Sequence, residues 1–178
     1  LINPDGDSRV VSGTSFAAPH VTATVALLQE WSDRQIRSEA QWSLDAREPM
    51  VMKAVLLNSA DKLEDTGDGL LLGMARTLYD EANQTWLESD AYADQSRPLH
   101  SELGTGHLNA SRALQQLQAG QWSAAAPVPT IGWSFGTAES PLPPDDLPRT
   151  EATLLYRDYE FEASLKGGSY LSATLAWE

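Results

Sequence analysis

Gly13-Thr14-Ser15-Phe16-Ala17-Ala18-Pro19-His20-Val21 decides the reading of this chain. Before it, Arg9-Val10-Val11-Ser12 carries β-branched residues and reads as the end of a strand. Gly13 permits a sharp turn, and Val21 to Leu28 is almost wholly apolar, so the implied order is strand, tight turn, buried helix. That order sets the Ser15 hydroxyl at the positive end of a helix, where backbone N–H groups without an intrahelical acceptor can meet a developing oxyanion. On the turn alone, a hydroxyl residue before an apolar helix is most often only an N-cap.

The whole nonapeptide resembles the nucleophile motif of the subtilisin-like (subtilase) serine peptidases, Gly-Thr-Ser-x-Ala-x-Pro-His-Val, at every specified position. The resemblance implies that Ser15 attacks the scissile carbonyl, that its backbone N–H is one oxyanion donor, and that Thr14 touches substrate. It implies further that His20 is a structural member of the helix and that the general base lies upstream. One residue departs from the pattern: Ala23 stands where the family has Gly, adding a methyl to a packed helix. Pro19, lacking an N–H, should leave a carbonyl near Ser15 without its helical partner.

The expected nucleophile helix runs from about Thr14 to Trp31, ends at Ser32-Asp33-Arg34, and is buried on nearly all sides. A second helix opens at Glu48-Pro49, with Pro at its favoured first position, and closes at Asn58-Ser59-Ala60-Asp61. Its segment Met52 to Ala60 looks like the helix that follows the nucleophile helix in subtilases. A third spans Ala110 to Gln118, with Asn109 as N-cap and Gly120 as its stop. Gly104-Thr105-Gly106 before it lacks the third glycine of a dinucleotide fingerprint and the Gly-Lys of a phosphate loop, so turn plus cap describes it. The run Gly104 to Leu114 also resembles the stretch with which subtilase catalytic domains commonly finish.

Between the second and third helices, Glu64 to Leu108 is polar and turn-rich, with short elements expected near Met74 to Tyr79 and Thr85 to Leu87. Asp65-Thr66-Gly67, His100 and His107 lie here and invite a triad reading. Chain order argues against it, because the subtilisin arrangement, a worked example of the rule, runs Asp, His, then Ser, and all three follow Ser15. Asn83-Gln84-Thr85 and Asn109-Ala110-Ser111 match the glycosylation triplet, a cheap match.

Composition bounds the rest. The 178 residues are 42% hydrophobic and 21% charged, which is ordinary for a globular chain. Twelve Lys and Arg against 25 Asp and Glu give a formal charge of −13, which argues against nucleic-acid and anionic-membrane partners. With no cysteine there is no disulfide, thiolate nucleophile or Cys-based zinc site. No apolar run approaches the roughly 18 residues of a membrane span. Asn3, Asp5 and Asp7 are spaced like the start of a calcium loop, but Gly6 lies early and no Glu follows at the twelfth position, so a turn is expected and no cofactor is evident. Structural calcium is possible for the family.

Six of the ten prolines lie between Pro127 and Pro148, marking a linker or domain edge onto which Trp133 and Phe135 lend some docking. Beyond it, Tyr159 to Leu165 and Leu171 to Trp177 alternate apolar and polar around Gly167-Gly168, reading as a β-hairpin with one buried face. It looks like the opening of the β-sandwich that follows the catalytic domain in several subtilases. The expected fold class is therefore α/β: residues 1–122 the C-terminal portion of a subtilisin-like parallel-sheet domain, 123–150 a Pro-rich edge, and 151–178 an incomplete β domain. The expected function is a segment of a serine endopeptidase acting on polypeptides, its triad Asp and His supplied upstream, inactive by itself. A catalytically dead homologue serving as a binding or scaffold module is the alternative. The family favours an extracellular or cell-envelope setting, and oligomeric state is unread.

Overall fold

The computed structural model describes residues 6, 13–61, 88, 99–101, 103–137, 158–164, 167 and 171–177. In order these form helix α1 (Thr14–Ser38), a 3-10 turn (Leu44–Arg47), helix α2 (Pro49–Ser59) and helix α3 (Ala110–Gln118). The described residues are mostly helical. Among them only isolated β-bridges occur, so no sheet is built from them. The expected strand at Arg9 to Ser12, the Asn3-Asp5-Asp7 turn, Asp65, and the elements near Met74 to Tyr79 and Thr85 to Leu87 lie outside the described residues.

The core is a small cluster in which α2 packs on α3 and on the 3-10 turn, while α1 packs on the 3-10 turn and on α3. Leu28, Ala46, Val51, Met52, Val55, Ala113, Leu117 and Trp133 are buried there. Sequence fixes α2 and α3 closely. Pro49 occupies the first turn of α2, where its missing N–H has no acceptor to lose. Asn109 caps α3, its side chain accepting from Arg112 N at 2.9 Å. Gly120 then turns the chain with φ 91°, a value that favours glycine.

Helix α1 departs from expectation in two ways. It does not stop at Ser32-Asp33-Arg34, because these polar side chains all have partners that leave the helix intact. Ser32 is fully buried and donates to the Ala46 carbonyl at 3.0 Å. Asp33 pairs with Arg47 at 2.9 Å, and Arg34 with Glu30 one turn back. The helix ends only where Glu39 becomes extended.

Nor is α1 buried on nearly all sides. Its buried residues are Thr24, Leu28 and Ser32, a single i, i+4, i+8 stripe, and Leu27 remains 65% exposed. Trp31 and Ile36 flank that stripe and pack partly buried against the core, and Asp33 reaches Arg47 of the 3-10 turn. Residues 13–23 are exposed throughout, so the all-round apolar character of Val21 to Leu28 has no matching enclosure.

The chain after α3 returns to the core. Trp133 is buried, donates its Nε1 to the Leu117 carbonyl at 3.0 Å, and pairs with Gln121 through an isolated bridge. The Trp122 ring lies flat enough on Gly132 that any Cβ there would fall inside the indole. Gly132→Ala should therefore displace Trp122 and cost about 1–3 kcal/mol in stability, the range for overpacking. Chemical denaturation of the variant followed by tryptophan emission checks this, and an unchanged midpoint with unchanged emission would contradict it.

The hairpin expected over Tyr159 to Trp177 is not formed among the described residues. Residue 161 bridges Val128 instead, with Val128 N donating to Glu160 O at 2.7 Å and Glu162 N to Val128 O at 2.9 Å. Ser172 and Thr174 donate their hydroxyls to Asn58 Oδ1 at 2.7 and 3.1 Å. Leu171, Leu175 and Trp177 on the alternating apolar side are 69–81% exposed. Alternation specifies two faces of a strand but not a body to cover one of them.

Candidate active site

Ser15 is the second residue of α1, and Thr14 the first. Gly13 precedes them with φ 146° and ψ 152°, a positive φ that the turn demands and that a side chain would strain. The first backbone bonds of the helix are Phe16 N to Gly13 O at 3.0 Å and Ala17 N to Gly13 O at 3.3 Å. The N–H groups of Thr14 and Ser15 therefore come before the first closed turn and have no acceptor within the helix. No side chain caps this end, so the Ser15 hydroxyl, exposed, stands beside two free donors at the positive end of a 25-residue helix. That arrangement can hold an oxyanion formed next to the serine oxygen. Pro19 sits inside α1 without interrupting it, leaving the Ser15 carbonyl with no N–H four residues on.

His20 does not approach this role. Its Nδ1 is 2.8 Å from Phe16 O, one turn back on its own helix, and Thr24 donates to the His20 carbonyl at 2.8 Å. The imidazole is thereby held along the helix. His100 is buried in the turn ahead of α3, where its Nδ1 accepts from Leu103 N at 3.2 Å and its backbone pairs with Gly104. His107 pairs through its backbone with Asp61 at the end of α2. Both histidines sit in the segment that leads into α3.

A polar junction that sequence reading passed over joins the two later helices. Asp61, only 7% exposed, exchanges backbone bonds with His107 at 2.8 and 3.0 Å. Its carboxylate pairs with Arg112 and accepts from Asn109 Nδ2 at 3.0 and 3.3 Å. Asn109 thus works in two directions, its oxygen capping α3 and its nitrogen holding Asp61. The available signal was an acid just past the end of one helix and an Arg in the first turn of another. Asn109 is also the acceptor of the second glycosylation triplet, and its amide is committed to this junction.

Comparison with known proteins adds one finding: residues 6–75 match the family model described as Subtilase family, peptidase S8. The match takes in the nonapeptide, α1 and α2, less than half of the chain, and supports recognition of the subtilase family over those residues. Comparison with curated proteins gives no match, and neither does comparison with solved structures. Among the described residues no helix is long and apolar enough to cross a membrane.

Proposed function

We propose that Ser15 is the nucleophile of a serine endopeptidase whose catalytic Asp and His, and the second oxyanion donor, come from sequence ahead of Leu1. The observation that carries this reading is the position of Ser15 at the second residue of α1, its hydroxyl exposed and its own N–H without a helical acceptor. In the reaction the Ser15 Oγ proton passes to the imidazole as Oγ bonds to the scissile carbonyl carbon. The carbonyl oxygen becomes an oxyanion met by the Ser15 N–H and the upstream donor. Collapse of that tetrahedral species breaks the C–N bond, and the imidazolium returns the proton to the leaving amine. Water then releases the acyl group by the same steps in reverse. Thr14, the first residue of α1, is assigned to the substrate by the family resemblance.

By this reading 1–122 belong to the catalytic domain, 123–150 form its Pro-rich edge and 151–178 begin a β domain, in an extracellular or cell-envelope setting. Family placement of the specificity loops ahead of the nucleophile leaves polypeptide as the substrate class. A fluorophosphonate probe tests the proposal. A polypeptide carrying these 178 residues behind their natural upstream sequence should be labelled at Ser15 and not when Ser15 is Ala, while the 178 residues alone should stay unlabelled. Failure of the longer polypeptide to label, with its fold intact by circular dichroism, would instead make this a dead homologue used for binding.

A further inference from the structure

We infer that Asn58 and Gln116 form a directional amide relay that couples the two places where the C-terminal segment docks on the rest of the chain. The first place is polar. Ser172 and Thr174 donate their hydroxyls to Asn58 Oδ1, in the last turn of α2, at 2.7 and 3.1 Å. The second is aromatic. Tyr159 and Phe161 pack on the Trp122 indole with centroids 5.6 and 5.7 Å away, the Phe161 ring edge to face. Tyr159 and Ser134 share a hydroxyl bond of 2.7 Å, and Val128 exchanges backbone bonds with Glu160 and Glu162.

A line of amides joins the two places. Asn58 Nδ2 donates to Gln116 Oε1 at 3.3 Å, across the contact of α2 with α3. Gln116 Nε2 then donates to Gly132 O, also at 3.3 Å. Gly132 is the residue on which the Trp122 ring lies, so the line ends beneath the indole that Tyr159 and Phe161 cover.

The direction of this line follows from its far end. A backbone carbonyl can only accept, so Gln116 must turn its nitrogen to Gly132 and its oxygen to Asn58. Asn58 must then offer its nitrogen to Gln116, which leaves its oxygen facing Ser172 and Thr174, and those hydroxyls must donate. The reverse orientation would set Gln116 Oε1 against the Gly132 carbonyl, two acceptors with no proton between them. Asn58, Gln116 and Gly132 are partly buried, so water replaces a lost link only in part. Withdrawing the two hydroxyls therefore frees Asn58 to turn, removes the donor that orients Gln116, and loosens the support under Trp122. The aromatic place weakens although none of its own atoms has changed. None of these residues belongs to the first turn of α1, so the inference does not rest on the peptidase reading.

Amide hydrogen exchange on the 178-residue chain tests it, read at Val128 and Glu162, whose N–H groups bond Glu160 O and Val128 O. The double variant Ser172→Ala/Thr174→Val should speed exchange at both by about two- to tenfold with the far-UV circular dichroism unchanged. Asn58→Asp keeps an acceptor for the hydroxyls but has no N–H for Gln116, and it should speed the same two amides by a similar factor. Gln116→Glu breaks the line at its middle and should do likewise, serving where Asn58→Asp disturbs the end of α2. Combining either with the double variant should give no further acceleration, because one line can be broken only once. Unchanged exchange at Val128 and Glu162 in the double variant, or factors that multiply in the combined variants, would overturn the proposal.

Discussion

Ser15→Ala should lower peptide-ester hydrolysis by a polypeptide that carries these residues behind their upstream sequence by roughly 10⁴- to 10⁶-fold, the range seen when one triad member is removed from subtilisin. The size follows from what the substitution removes. The Gly13 turn, the free N–H groups of Thr14 and Ser15 and the course of α1 do not depend on the hydroxyl, which makes no capping bond. Binding and oxyanion stabilisation should therefore survive, giving a large fall in kcat with little change in KM. A fall of less than about tenfold would mean that the serine oxygen does not attack. Stability should change little, since Ser15 is exposed and the side chain holds nothing in place. Unfolding measured alongside activity separates a lost nucleophile from a lost fold.

What could be read from the sequence and what could not differ in physical kind. The turn at Gly13 to Ser15, the Pro49 start of α2, the Asn109 cap and the Gly120 stop are local. Each rests on the φ value, donor or acceptor of one residue, and each stands where expected. The errors concern distant partners. Ser32-Asp33-Arg34 looked like a helix end because its polar groups invite competition with the backbone, yet Ser32 is satisfied by Ala46 and Asp33 by Arg47, both beyond the helix. The apolar run Val21 to Leu28 predicted enclosure, but hydrophobicity states a demand for burial and cannot say which surface meets it. Between Leu171 and Trp177 the hydroxyls of Ser172 and Thr174 find Asn58, while Leu171, Leu175 and Trp177 stay exposed.

The chemistry and the core are consequently segregated along α1. Its first turn carries the candidate nucleophile and is exposed, while its second half carries Leu28, Ser32 and Trp31 into the cluster with α2, α3 and Trp133. A long helix is a stiff lever, so packing at residues 24–38 fixes the direction of the first turn even where that turn is exposed. Substitutions in the core cluster should accordingly disturb the Ser15 site through the fold and not through any direct contact.

The Asp61 junction is where that packing is most exposed to a single change. Asp61→Ala should destabilise the chain by about 3–5 kcal/mol, because it removes one partner of a buried ion pair and leaves the other. The Arg112 side chain is 14% exposed and that of Asp61 9%, so the guanidinium has little water to replace the lost carboxylate. Asn109 Nδ2 loses its acceptor in the same step, while its cap on Arg112 N remains. Against a typical total of roughly 5–15 kcal/mol, a loss of this size approaches global unfolding. Asp61→Asn should cost less, since an amide oxygen still accepts from Asn109 and Arg112 and only the charge is lost. Urea denaturation of both variants reads the difference. If Asp61→Ala shifts stability by less than about 1 kcal/mol, the size of an exposed pair, then the junction does not join α2 to α3 in solution.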